Sequence, residues 1–440
     1  MLVAGVILLL ALGLRIGYVE GTSFKSIDDA GTYNRLAGQI ARLGDYRNST
    51  GFDTGAGGTH GPTAYFPPAY PYVLALADIV DGHQAGGPTA LKGERLEGAV
   101  LGTIAVALLG LVALEAFGAP TGLAALTLAA IYPVFIELSG TLVAENLLVV
   151  FELAALYATL RARRSHPIGV WLWIAAAGLL TGLATLSHEN AFVFAIPLAI
   201  GAAAAAGRTA RRRAAGALAL LAAMALMILP WTIRNAVELH HFIPVATETG
   251  ITLRGTYNPA SANFHKLPYK WRFYWSIPQD RAIEHRAFHE REVELSNQLE
   301  SRATHYIEHH PTAPLTVFWS NLRRMFELRG SYAWQQSAHA IGLHESDARI
   351  GIIAFWTLCA LSIAGAFTKT ARRAPAWLWA MPILYALTIV FINVETPRFR
   401  EPIDPFLVLL AACATNTAFT RGRAYLRSRM RLSASRPATL

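Results

Sequence analysis

Apolar residues in this chain run together in long blocks. Ten predominantly apolar stretches of roughly 17 to 22 residues occur, long enough to span a bilayer as helices. They lie at about 1–19, 97–117, 121–137, 141–160, 168–186, 190–207, 214–232, 349–367, 376–393 and 402–419. The pattern predicts an all-α polytopic membrane protein of about ten transmembrane helices. Two long polar segments interrupt the blocks, at 20–95 and 233–348. They divide the chain into a membrane region 1–232 holding the first loop, a second loop 233–348, and a C-terminal region 349–440 with a basic tail.

The first loop opens as an amphipathic helix. Ile27, Ala30, Tyr33, Ala37, Ile40 and Leu43 recur at spacings of three and four. Ser26 is placed to cap it, with Asp29 completing a capping box. A glycine-rich stretch, "TGFDTGAGGTHGPT", follows. The prolines of "AYFPPAYPYVLALADIV" then break any helix near 67–71. The apolar run beyond them is short for a span and ends in Asp78 and Asp81. It reads as a re-entrant or interfacial helix.

The second loop holds "PWTIRN" at its start, the aromatic and basic run "FHKLPYKWRFYW", and a charged helical stretch near 279–310. The segment "APLTVFWSNLRRMFEL" puts Leu315, Phe318, Leu322 and Phe326 on one side, the pattern of a helix lying in the membrane interface. No internal repeat is visible, which disfavours a transporter built from repeats.

Composition agrees with the blocks. Hydrophobic residues make up 53% of the 440 and charged residues 15%, against about 25% charged in soluble domains. The net charge of +9 could suggest nucleic acid as a partner. Its placement excludes that reading. The basic excess sits between apolar blocks, in "RARR" at 161–164, "RTARRR" at 208–213, "KTARR" at 369–373 and the tail from Arg421. Such clusters report cytoplasmic loops. With ten spans all four fall on one side, both termini are cytoplasmic, and both long loops lie outside. Cys359 and Cys413 both sit in apolar blocks, so neither a disulfide framework nor a cysteine zinc site is expected. The first block lacks a positive n-region and a cleavage site, and reads as an uncleaved helix. Many arginines and alanines beside few lysines suit a GC-rich bacterial genome, hence a bacterial inner membrane.

Charged residues at block ends are the candidate chemistry. Asp28 and Asp29 begin the first loop helix. They serve either as first-turn acids favoured by the helix dipole, or as carboxylates that accept a proton or hold a divalent metal beside a phosphate. Glu137, Glu145 and Glu152 lie in or beside apolar blocks, where charge is costly and usually marks a partner or a path. His188 and Glu189, in "SHEN", are turn residues, cavity residues or metal ligands. His285 and His289, beside Glu290, read as a solvated face. His60, His240, His241 and His265 have no diagnostic spacing. Arg234, Arg398 and Arg400 stand at block ends, suited either to bidentate phosphate contacts or to snorkelling.

Several short motifs fall in order along the chain. "D-x-x-x-Y-x-x-x-A" falls on Asp29, Tyr33 and Ala37, and "PP-x-YP" on Pro67, Pro68, Tyr70 and Pro71. Glu145 follows Ala144 in a "TE"-like place. "PW-x-x-RN" occupies 230–235, and "Y-I-x-x-HP" falls on Tyr306, Ile307, His310 and Pro311. An "RY-x-x-P-x-x-P" pattern has Phe399 for tyrosine, with Arg398, Pro402 and Pro405. Together these resemble the polytopic glycosyltransferases of the GT-C superfamily. The branch in question is family 39, which includes protein O-mannosyltransferases and bacterial aminoarabinose transferases. The acid that usually follows the aspartate is Ala30 here, and the lysine that some relatives place near the donor phosphate has no counterpart.

The resemblance implies a GT-C-like bundle with interfacial helices and two large outer loops. It implies sugar transfer from a polyprenyl-phosphate donor, at the outer face, to a lipid, glycan or protein acceptor, with inversion at the anomeric carbon. Asp29 is then the first choice for the catalytic carboxylate and Asp28 the second. Arg398, Arg400 and Arg234 are the candidates for the donor phosphate. Tyr33, Glu145, Glu137, His188, Glu189 and Tyr70 are expected around the cavity or acceptor. A divalent metal, where one is used, belongs at Asp28 and Asp29 with His188 or Glu189. No nucleotide cofactor and no nucleic acid is expected; membrane lipids are partners. The main alternative is a transporter or flippase for a lipid-linked or anionic substrate, using the same arginines and glutamates. A non-catalytic subunit of an envelope complex is a third reading.

Overall fold

A computed structural model describes residues 2–48, 61–81, 88–283 and 290–434. Most of the glycine-rich stretch, His60, His285 and His289 lie outside the described residues. Each predicted apolar block is helical. In chain order the helices are α1 (Leu2–Gly21), α2 (Asp28–Leu43), α3 (Ala69–Asp81), α4 (Pro88–Phe117), α5 (Ala119–Ile131), α6 (Pro133–Ser139), α7 (Glu145–Ala162), α8 (Pro167–Ser187), α9 (Ala195–Ala206) and α10 (Ala210–Glu238). There follow α11 (Thr249–Thr256), α12 (Pro259–Ala262), α13 (Glu292–His309), α14 (Ala313–Met325), α15 (Ser331–Ala340), α16 (Glu345–Ala366), α17 (Lys369–Arg372), α18 (Ala376–Val390) and α19 (Asp404–Ala434). The described strands are a two-residue antiparallel pair that sets Arg47 opposite Pro62.

The count of spans falls short of the expected ten. Among the described residues six helices are long and apolar enough to cross a membrane, or seven with the pair α5 and α6, which bends by 56°. The reasons are local. Pro133 opens α6 and breaks the block there. Helix α7 carries Glu145, Glu152 and Arg161 within 18 residues. Helix α18 has only 15 residues. Helix α19 begins at Asp404 and turns polar and basic in its second half. The chain is a multi-pass membrane protein in which several bundle helices are short or carry buried charge.

Small residues let the bundle helices meet. A Cβ on Gly365 would lie 1.9 Å from the Leu410 carbonyl oxygen, so α16 and α19 touch backbone to backbone. One apolar core runs through the bundle and includes Leu109, Leu138, Leu156, Leu198, Met381 and Leu409. A second joins the two long segments to the end of the bundle. In it Tyr33, Phe66, Tyr70 and Leu74 pack with Leu142, Leu147, Trp231, Ile251 and Leu299. The long segments are therefore a packed layer. Helix α3 is short, as the proline break predicts, and exposes Leu76, Ile79 and Val80. Helix α14 exposes Leu315 and Trp319, and buries Val317, Asn321 and Arg324.

The start of α2 differs from expectation. Its N-cap residue is Ile27, with no side-chain cap. Asp28 takes a left-handed backbone (φ 47°), which aspartate tolerates better than most residues. No capping box forms, because Asp29 is engaged by a cation from elsewhere in the chain.

Candidate active site

That cation is Arg398, on the short 3-10 turn Arg398–Arg400. Its Nη1 donates to Asp29 Oδ2 at 2.6 Å and its Nε to Glu145 Oε1 at 2.8 Å. Glu145 is the first residue of α7, where exposed backbone N–H groups favour an acid. His188 closes α8, and its Nε2 lies 3.8 Å from Glu145 Oε1. Glu145 is fully buried and Arg398 nearly so, whereas the Asp29 side chain keeps 35% of its surface open. Two carboxylates thus share one guanidinium. The deeper one anchors it, and the outer one faces open space.

That space is a cavity lined by Asp28, Asp29, Tyr33, His188, Glu189 and Arg398. Glu145 stands behind Arg398. Tyr70 is a further layer back, edge-on to Tyr33 with ring centroids 5.0 Å apart. Sequence reasoning did not single out Glu248, Glu395, Trp271 and Phe273, which also line the cavity. Their signals were an acid in "VATETG", an acid in "ETPRFR" and two aromatics in the basic run. Trp271 is held by a close approach: a Cβ on Gly255 would lie 2.2 Å from its Nε1.

The cavity is rich in acid. Desolvation of Glu248 raises its pKa well above the usual carboxylate value, and the charges of Glu189 and Asp29 add to this. Partial burial raises Asp28, with help from Asp29 and Glu395. Burial lowers the pKa of His188 against the opposing pull of Glu145, which favours the neutral imidazole.

The other predicted arginines lie elsewhere, each satisfied by protein. Arg400 is buried against Asp404 (3.2 Å), Glu327 (3.1 Å) and the Met325 carbonyl (2.9 Å), with its guanidinium over Phe355. Arg234 donates to the carbonyls of Thr63 (2.6 Å) and Tyr46 (2.7 Å). Its neighbours in "PWTIRN" also clamp backbone: Trp231 reaches the Val245 carbonyl, Thr232 that of Pro244 and Asn235 that of Ile243. This motif ties both long segments to α10, and neither arginine lines the cavity. Glu137 is buried on α6 against Gly351, also away from it.

The expected metal set is not assembled as a tight trio. Asp29 points to Arg398, and His188 Nδ1 accepts from the Asn190 N–H at 3.4 Å. Among the described residues, the trio of potential ligands within 4.8 Å of one another is His305, Glu308 and His309 on α13. The oxygen-rich lining of Asp28, Asp29, Glu189 and Glu248 nevertheless suits a hard divalent cation by ligand type.

Known proteins share this architecture. A family profile described as dolichyl-phosphate-mannose-protein mannosyltransferase matches residues 67–233. No curated protein matches the chain. The archaeal oligosaccharyltransferase AglB from Archaeoglobus fulgidus, solved with an inhibitory peptide and a dolichol-phosphate, superposes with a TM-score of 0.58 at 17% identity. The match covers 100% of this chain and 52% of that one. The Archaeoglobus fulgidus oligosaccharyltransferase solved with Zn and sulfate gives 0.56 at 15% identity, over 99% of this chain and 51% of that one. The chain spans about half the length of these enzymes. The fold of this chain is thus similar to that of the oligosaccharyltransferase AglB, and its 67–233 segment matches the mannosyltransferase family profile.

Proposed function

We propose that the chain transfers a sugar from a polyprenyl-phosphate-linked donor to an acceptor at the outer face of the membrane. The observation that carries this reading is the bridge from Glu145 through Arg398 to Asp29, opening on an acid-lined cavity at one end of the bundle. Charge placement supports the side. Arg163, Arg164 and Arg373, from two of the basic clusters, line one pocket together. They lie at the far end of α7 from Glu145, and a helix of that length is about 27 Å long. Basic residues favour the cytoplasmic side, which supports an outside location for the cavity end.

In this reading an acceptor hydroxyl or amine attacks the anomeric carbon. The bond from that carbon to the phosphate oxygen breaks, and its electron pair leaves with the polyprenyl phosphate. Asp29 takes the acceptor proton or orients it. Arg398 fixes the Asp29 carboxylate and keeps a positive charge at the cavity wall, where the leaving phosphate gains negative charge. Asp28, Glu189 and Glu248 are the groups that would join Asp29 in holding a divalent cation, which when bound supplies charge balance for the phosphate. Arg400 and Arg234, engaged by protein, are assigned to structure.

The test is transfer of labelled sugar from a panel of polyprenyl-phosphate sugars, with membranes containing the chain against membranes lacking it. Product together with released polyprenyl phosphate is expected. Donor movement between leaflets without any transfer would favour a flippase and overturn the reading.

A further inference from the structure

We propose that the last turn of α13 binds a transition-metal dication of the zinc type through His305, Glu308 and His309, apart from the Asp29 cavity. The three residues stand at i, i+3 and i+4, so their side chains share one helix face. One ligand atom from each lies within 4.8 Å of the others, and all three side chains are exposed. The two imidazoles are side by side, with ring centroids 4.1 Å apart. None of the three lines the cavity.

The opposite face of α13 holds the ligands steady. Leu295, Leu299, Ala303 and Tyr306 are buried there, so the site stands on a rigid element, as metal sites require. His309 Nδ1 lies 2.8 Å from the His305 carbonyl oxygen. A ring N–H donated to a backbone carbonyl leaves Nε2 as the free lone pair, the usual support for a metal-bound histidine. His310 is turned away, stacked on Tyr306 with its Nδ1 at the Tyr306 carbonyl. No arginine or lysine pairs with Glu308 among the described residues.

Two further features fix the ligand class. The site lies in the final turn of the helix, where the exposed carbonyls favour a cation. Two imidazoles and one carboxylate suit zinc, cobalt, nickel or copper, and suit magnesium or calcium poorly. Three protein ligands leave a position for water. Bound metal would staple the last turn just before Pro311, where the chain turns into α14.

The test uses the full chain in detergent, purified on a tag without histidine, stripped with chelator and titrated with cobalt and then zinc. One equivalent of cobalt with visible bands of a nitrogen and oxygen site is expected, displaced by zinc and retained in millimolar magnesium. The double variant H305A/H309A should lose that equivalent, and E308Q should weaken it by about tenfold or more. A control, H240A/H241A, should keep it. All of these side chains are exposed, so folding is expected to persist, and an unchanged thermal midpoint of the stripped variants checks it. No cobalt binding by the wild type, retention of the equivalent in H305A/H309A, or equal loss in H240A/H241A overturns the proposal.

Discussion

The guanidinium of Arg398 meets the carboxylate of Asp29 at 2.6 Å, although 369 residues separate them in sequence. The contact joins the first loop helix to the turn before the last bundle helix, over the buried Glu145. The bridge holds the Asp29 carboxylate at the cavity wall.

Arg398→Ala should destabilise the fold as well as the site. It leaves Glu145 buried with its principal cation gone, a loss of roughly 3–5 kcal/mol for a broken buried pair. A lower thermal midpoint in detergent is the expected result. The double variant R398A/E145Q should recover part of the loss, because it removes the stranded charge.

Arg234→Met should act on architecture. The carbonyls of Tyr46 and Thr63 lose their donor, at roughly 1–3 kcal/mol. Faster proteolysis of the two long segments is expected, with the affinity for donor phosphate little changed in the surviving folded protein. A large rise in donor KM without a stability change would move Arg234 back to the phosphate.

Glu248→Gln should change the pH dependence of stability. Burial holds the Glu248 carboxyl well above its ordinary value of 4.5. Between 4.5 and the raised value the folded chain keeps a proton that the unfolded chain has lost. Stability therefore falls as pH rises through that window, and the full contribution is present only below it. The glutamine variant removes the slope. Its thermal midpoint should exceed that of the wild type at neutral pH, with the advantage shrinking toward pH 4.5.

Gly255→Ala should disturb the cavity wall from behind. The added methyl meets the Trp271 ring and the Arg272 carbonyl oxygen, and overpacking of this kind costs roughly 1–3 kcal/mol. A change in Trp271 fluorescence with reduced sugar transfer is expected; Gly422→Ala, with open space around it, should do neither.

The helices were legible because apolar blocks of bilayer length leave few other conformations. Their number as spans was not, because α7 carries Glu145, Glu152 and Arg161 and α18 ends after 15 residues, and block length alone registers neither. Asp29 and Arg398 stood out as charges at the ends of apolar blocks and His188 as a residue of the "SHEN" turn, and the fold brings them to one cavity. The same signal also selected Arg400 and Arg234. Block-end position alone cannot separate an arginine facing a cavity from one satisfied by Asp404 or by two backbone carbonyls. Glu248, Trp271 and Glu395 went unmarked, since the approach of irregular segments leaves no period in the sequence.

The most direct measurement compares labelled-sugar transfer by wild type and Asp29→Asn, purified in the same detergent with matched thermal midpoints. Asparagine keeps an oxygen for Arg398 but cannot accept the acceptor proton. Transfer should fall by about a hundredfold or more with the fold intact. Undiminished transfer by Asp29→Asn would contradict the central claim.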